Sequence, residues 1–219
     1  MILKENYNPK LHQKKLKKLA EFVVKENFKH HTNNVPRNCK EDIELVYDEE
    51  IKYKEHSNIF VAKDNLGNIA GTIRVLKWNY VDKLPIEKIF GINPLMITGY
   101  APIKPIWHIG RFAIRKEICD VTLFKKLVVY GILEICKDEN AVAFAEIDSK
   151  LMRVLRLMGI QATIIGESIN YLGSETIPVC FTYKGLINFY NKNKKLIIEE
   201  QHNSKLNKQN VLVSNNNLA

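Results

Sequence analysis

Ile106-Trp107-His108-Ile109-Gly110-Arg111-Phe112-Ala113-Ile114 is the stretch on which the fold turns. It is mostly apolar and follows a Pro- and Gly-rich segment, residues 81–105, so it predicts a strand with breakers behind it. Residues 121–137 come next, with Val121, Leu123, Phe124, Leu127, Val128, Ile132 and Ile135 on one broad apolar face. Asp120 stands at their head as a helix cap. Residues 141–147 then give a continuous run of small apolar side chains, as expected of a strand covered on both faces. Residues 149–158 return to the helical period through Leu151, Met152, Val154, Leu155 and Met158, and Gly159 closes them. Strands that feed helices returning to strands imply parallel pairing.

Upstream, residues 59–62 and 69–77 flank Asp64-Asn65-Leu66-Gly67-Asn68, a tight-turn signal because Asn and Gly accept positive φ. That hairpin brings antiparallel pairing. The class is therefore α/β, one domain with a central mixed sheet and helices on both faces. Residues 9–28 predict an amphipathic helix, with Leu11, Leu16, Leu19, Ala20, Val23 and Val24 among lysines. A mobile polar loop is expected over residues 30–40, then a charged helix or turn ending near Glu55, and a short helix at 86–90. Strands are predicted at 162–165 and 177–183. The domain is expected to occupy residues 1–190 and a flexible, basic tail residues 191–219, where Lys and Asn dominate.

The chain has 219 residues, 46% of them apolar and 26% charged, which excludes disorder throughout. At this length roughly 70% of the unfolded surface is buried, enough for a core without disulfides or a structural metal. Cys39, Cys119, Cys136 and Cys180 form no C-x-x-C pair, which argues against a zinc ribbon or disulfide scaffold. The start of the chain lacks the apolar core of a secretory signal, and no apolar run approaches the roughly 18 residues of a membrane span, so a cytoplasmic protein with reduced thiols is expected. A net charge of +9 and a pI near 9.3 favour anionic partners: nucleic acid, an anionic membrane surface or an acidic protein. The basic residues are not interleaved with stacking aromatics, which weighs against a specific nucleic-acid site.

Four stretches carry a family likeness: Glu44-Leu45-Val46-Tyr47-Asp48; Gly71-Thr72-Ile73-Arg74-Val75-Leu76; Trp107 through Ile114; and residues 152–159 with Tyr171-Leu172-Gly173 and Ile177-Pro178-Val179. With the element order, they resemble the Gcn5-related N-acyltransferases. Within that group they look most like the acyl-homoserine-lactone autoinducer synthases and the long-chain N-acyl amino acid synthases. The resemblance implies a splayed sheet and transfer of an acyl group from a thioester to an amine. It also implies an acyl carrier protein as donor, acyl-CoA being the alternative, and no metal or redox cofactor. The chain departs from the family pattern at His108, where the family has glutamate, at Leu45, where it has a carboxylate, and at Lys18, where it often has arginine.

Amide formation requires a base for the amine proton. His108 is one candidate, since an imidazole titrates at about 6.5, near the working pH. Glu146, at the end of the buried strand, is the competing one; neighbouring Asp148 is better explained as a helix cap. Arg74 and Arg111 lie on apolar strands and need anionic partners. They either hold the substrate with Asp48 or form internal pairs with Asp48 or Glu146. Strand alternation separates His108 from Arg111 unless a bulge intervenes, and Gly110 is where one would be tolerated. Such a bulge would free backbone N–H groups for a thioester oxygen. Trp107, Phe112 and Phe144, with Leu155, Met158 and Phe181, either line an acyl tunnel or fill the core. Residues 115–120 hold no glycine, so a pyrophosphate cradle is poorly supported. Arg115, Lys116, Lys125, Arg153 and Arg156 either meet an acidic carrier protein or form a solvated face. The rival functions are a CoA-dependent acetyltransferase of a small amine or protein terminus, and a non-catalytic binding module using its basic surface.

Overall fold

The computed structural model describes residues 2–4, 9–32, 38–99 and 104–198. Its elements run β1 (Ile2–Lys4), α1 (Pro9–Thr32), α2 (Lys40–Tyr53), β2 (Ser57–Lys63), β3 (Ile69–Lys77), α3 (Pro85–Phe90), α4 (Pro94–Thr98), β4 (Ile106–Ile114), α5 (Val121–Ile132), β5 (Val142–Asp148), α6 (Ser149–Leu157), β6 (Thr163–Ile164), β7 (Ile169–Tyr171), β8 (Ser174–Thr182) and α7 (Tyr183–Asn193). All the strands belong to one mixed sheet in the order β1-β2-β3-β4-β5-β8-β6, with β7 also on β8. Among the described residues only β4 and β5 pair in parallel. No helix among the described residues is long and apolar enough to cross a membrane.

The hairpin forms for the reason its turn implies. The Asp64 carboxylate accepts from the backbone N–H of Leu66 and Asn68, and Gly67 takes φ +81°. Asp120 caps α5 by accepting from the N–H of Thr122 and Leu123, and Asp148 caps α6 through Lys150 and Leu151. α5 lays Leu127, Val128, Val129 and Ile132 on the face of the sheet formed by Phe60, Ala62, Ile73, Val75, Ala143, Ala145, Val179 and Phe181. Each fully buried aliphatic side chain there contributes about 1.5–3 kcal/mol. Gly131 lets the helix come that close: a Cβ on it would stand 2.4 Å from Ile73 Cδ1. α1, α2 and α3 cover the opposite face through Leu16, Leu19, Ile59 and Val61, and through Tyr53, Leu76, Leu84, Ile86 and Phe144.

The parallel contact between β4 and β5 is short. It pairs Ile106 with Val142, Trp107 with Ala143 and His108 with Phe144, and then stops. β4 continues to Ile114 against β3, and β5 continues to Asp148 against β8. The two central strands thus part beyond His108 and Phe144, and the edges they turn toward each other have no ladder partner. This is the splay that the family resemblance implies.

Three expectations are corrected. The bulge on β4 is not at Gly110. The register against β3 passes from Thr72↔Ala113 to Arg74↔Gly110, so Arg111 and Phe112 together face Ile73, and Arg111 takes φ +54°. The segment from residue 191 onward does not begin as a tail. α7 continues to Asn193, and Ile197 is buried in the main core, because Leu186, Phe189 and Ile197 give that end an apolar stripe. Helix α1 runs to Thr32, past the start of the expected polar loop, whose residues 33–37 lie outside the described residues, as do residues 199–219.

Candidate active site

Helix α2 places Val46, Glu50 and Tyr53 on its buried stripe at helical spacing and leaves Asp48 exposed. The acidic partners of the strand arginines are therefore Glu49 and Glu50, not Asp48. Arg74 is wholly buried; its Nη1 donates to Glu50 Oε1 at 2.6 Å and its Nη2 to Glu49 Oε1 at 3.0 Å. Arg111 donates from Nε to Glu50 Oε1 and from Nη2 to Glu49 Oε1, both at 2.7 Å. The β4 bulge makes this possible. Strict alternation would turn residue 111 toward α5, and the extra residue returns it to the side where Arg74 and α2 lie.

Arg111 and Arg74 dominate the electrostatics. Burial pushes the Glu49 carboxyl up, but the guanidiniums of Arg111 and then Arg74 outweigh it and hold the group at about 2. For Arg111 itself, burial disfavours the charge, and the Glu49 and Glu50 carboxylates more than restore it, keeping the guanidinium charged.

His108 joins this cluster to β5. Its Nε2 lies 2.9 Å and 3.1 Å from the two carboxylate oxygens of Glu146, and its Nδ1 lies 3.4 Å from Arg74 Nη2. The ring is 1% exposed. Gly110 leaves it this position: a Cβ there would stand 2.9 Å from His108 Cε1. The two base candidates thus form one hydrogen-bonded pair.

A cavity of about 150 Å³ opens where β4 and β5 part. One end is polar, formed by His108, Arg111, Glu146 and Tyr171; the other is apolar, formed by Val128, Ile132, Leu155, Ile160, Phe181 and Leu186 beneath α5, α6 and α7. Tyr171 was not singled out in the sequence as a site residue. Burial pushes its phenol up, so it stays protonated at neutral pH and can donate a hydrogen bond.

The proposed lining residues divide. Phe112, packed edge-on against Phe124, lines the cavity, as do Leu155 and Phe181. Phe144 does not: it is fully buried in the cluster with Leu76, Ile106 and Cys180, below the point where the strands separate. Trp107 also lies within the paired region and packs on the main core, with the Lys77 ammonium 5.8 Å from its ring. Met158 faces an adjoining groove between α1, α5 and α6 instead.

The basic residues divide as well. Arg115 is tied to Asp64 at 2.9 Å and to the Ile69 carbonyl, and the Lys116 ammonium donates to the Lys29 carbonyl at 2.7 Å, so both are engaged within the fold. Arg153 and Arg156 stand exposed on α6, and Lys125 is half-buried on α5. Between β4 and α5 the backbone N–H groups are largely spoken for. Arg115 donates to the Ala70 carbonyl, Lys116 to Glu26 Oε2, Ile118 to the Arg115 carbonyl, and Thr122 and Leu123 to the Asp120 carboxylate. The N-terminus of α5, an end that would otherwise suit an anion, already carries its own carboxylate.

No protein-family profile and no curated protein matches this sequence. Solved structures do match the fold. FeeM, an N-acyl amino acid synthase from uncultured soil microbes, superposes with a TM-score of 0.52 at 16% identity, covering 76% of this chain and 90% of its own. BjaI, a CoA-dependent acyl-homoserine lactone synthase bound to SAM and isopentyl-CoA, gives 0.55 at 16% identity, covering 85% of each chain. An acetyltransferase of the GNAT family from Staphylococcus aureus Mu50 gives 0.51 at 15% identity, covering 84% of this chain and 99% of its own. The chain has the Gcn5-related N-acyltransferase fold.

Proposed function

We propose that this protein is an N-acyltransferase that moves a fatty acyl group from an acyl-carrier-protein thioester to the amine of an amino acid or amino-acid derivative. One observation carries the reading: the cavity between the parted strands is polar at one end and apolar at the other. A thioester laid along it would have its carbonyl beside the unpaired edge of β4, whose N–H groups can stabilise the oxyanion, and its chain among Leu155, Ile160 and Phe181. Arg74 and Arg111 are neutralised by Glu49 and Glu50, so within the hydrogen-bonded cluster around His108 it is Glu146 whose carboxylate is left to face an arriving ammonium. That arrangement favours a cationic amine.

The occupied backbone between β4 and α5 favours a carrier-bound phosphopantetheine, which lacks the nucleotide pyrophosphate, over CoA. Arg153 and Arg156 offer exposed cations to an acidic carrier. Use of carrier thioesters would place the reaction in the cytoplasm.

The test is incubation with carrier protein loaded with fatty acids and, in parallel, with the same acyl groups on CoA, together with a mixture of amino acids. Mass spectrometry should find N-acyl products and free carrier thiol in equal amounts. Turnover with CoA alone reassigns the donor, and intact thioesters in every arm, with the protein folded, reject the activity.

A further inference from the structure

We propose that Glu146 is the catalytic base that meets the acceptor amine, and that His108 is a positioning residue held in a single tautomer. The identity of the substrates rests on the acyltransferase reading above; the tautomer rests on geometry alone.

A guanidinium has donors and no acceptor. Arg74 is fixed in place by Glu50 at 2.6 Å and Glu49 at 3.0 Å, and none of its surface reaches solvent. Its Nη2 lies 3.4 Å from His108 Nδ1, so Nδ1 must present a lone pair. A proton there would set donor against donor and cation against cation. The ring proton therefore sits on Nε2, where it donates to Glu146 at 2.9 Å. Both nitrogens of His108 are committed, and the ring is sealed from solvent, so no lone pair is available to an amine.

Glu146 is placed differently. It lies on β5 beyond Phe144, the last residue paired with β4, and it lines the cavity with 10% of its side chain exposed. A carboxylate has about four lone-pair positions, and the His108 N–H occupies only part of that capacity. What remains is open to a ligand. His108 fixes the rotation of the carboxylate much as a second hydrogen-bonding partner fixes a catalytic base elsewhere.

In the step this assigns, the arriving ammonium first gives one proton through Glu146 to solvent, and the neutral amine's lone pair then forms the C–N bond to the thioester carbonyl carbon while a second N–H proton passes to a Glu146 oxygen. The C–S bond then breaks, the sulfur takes its electron pair, and the proton returns from Glu146 to the thiolate. The products are an amide and a thiol, with Glu146 ionised again.

Two readouts test this. ¹⁵N–¹H correlation through the imidazole carbon protons of the free protein should show His108 protonated on Nε2 and bare on Nδ1. In kinetics, Glu146→Gln should lower kcat roughly 10²–10⁴-fold. His108→Gln, whose amide can both donate to Glu146 and accept from Arg74, should lose less than tenfold, and His108→Ala more. His108→Ala combined with Glu146→Gln should be no worse than Glu146→Gln alone, as for groups acting as one unit. An Nδ1–H tautomer overturns the assignment whether or not turnover is found. So does a Glu146→Gln protein that keeps most of its activity while His108→Gln loses it. Absence of all turnover in the unmodified protein, with the Nε2–H tautomer present, rejects the acyltransferase reading and leaves the positioning of Glu146 by His108 standing.

Discussion

Glu50 Oε1 accepts from Arg74 Nη1 at 2.6 Å and, on the other side, from Arg111 Nε at 2.7 Å. One buried carboxylate oxygen therefore ties α2 to both β3 and β4. Removing it leaves two guanidiniums short of their counter-charge in a dry site, and breaking such an arrangement costs about 3–5 kcal/mol. Glu50→Gln should show that loss in urea denaturation. Asp48→Asn, on the solvent face of the same helix, should stay within about 0.5 kcal/mol of the unmodified protein.

Arg111 occupies the left-handed region without being glycine. Its ion pairs hold it there. In Arg111→Ala the pairs are lost and the conformational strain remains; in Arg111→Gly the pairs are lost and the strain is relieved. Arg111→Gly should accordingly be the more stable of the two by about 1 kcal/mol, the strain term exceeding glycine's entropy cost. Thermal denaturation of the two side by side decides it, and equal or reversed stabilities would show that the bulge is not strained at residue 111.

The acid limb of stability should belong largely to Glu49. Its carboxyl sits at about 2 in the folded protein against 4.5 for an unperturbed glutamate. A depressed carboxyl contributes stability that is fully present above the unfolded value and disappears as pH falls through the folded one, so the loss runs from about pH 5 down to about pH 2. The size is on the order of 3 kcal/mol. Glu49→Gln should be less stable at pH 7 and show a flatter decline over that window in chemical denaturation at fixed pH values.

If the proposed acyl transfer holds, the apolar end of the cavity should set acyl length. Leu155 lines it, and Leu155→Phe adds volume where the chain would end. Long-chain donors should lose at least tenfold in kcat/KM, which is about 1.4 kcal/mol, while acetyl donors change little. Equal losses for both would place the chain elsewhere.

Much of the fold was legible because its signals are local. Asp120 and Asp148 as caps, the Asp64 turn and the buried β5 each depend on a few neighbouring residues. The misses depend on tertiary geometry. Asp48 belongs to the motif that carries the resemblance, yet the spacing of Val46, Glu50 and Tyr53 already pointed to Glu50 as the buried acid. The bulge was sought at Gly110 on conformational freedom, whereas ion pairs hold Arg111 in the positive-φ position. Phe144 and Trp107 were drawn into the tunnel because nothing in the sequence marks where β4 and β5 separate. Helix α7 was missed since Lys and Asn dilute the stripe of Leu186, Phe189 and Tyr190, and Thr182 as its cap went unread. His108 and Glu146 were each identified, but as rivals, because their contact exists only in the register of a parallel pair.

The most direct test is a crystal structure with a stable amide analogue of an acyl-phosphopantetheine thioester. Its carbonyl should lie against the free edge of β4 between Ile109 and Phe112, with the chain running between the strands toward Leu155 and Phe181 and Glu146 facing the carbonyl carbon. A chain lodged in the neighbouring groove by Met158, or on the outer surface, with nothing between β4 and β5, would contradict it.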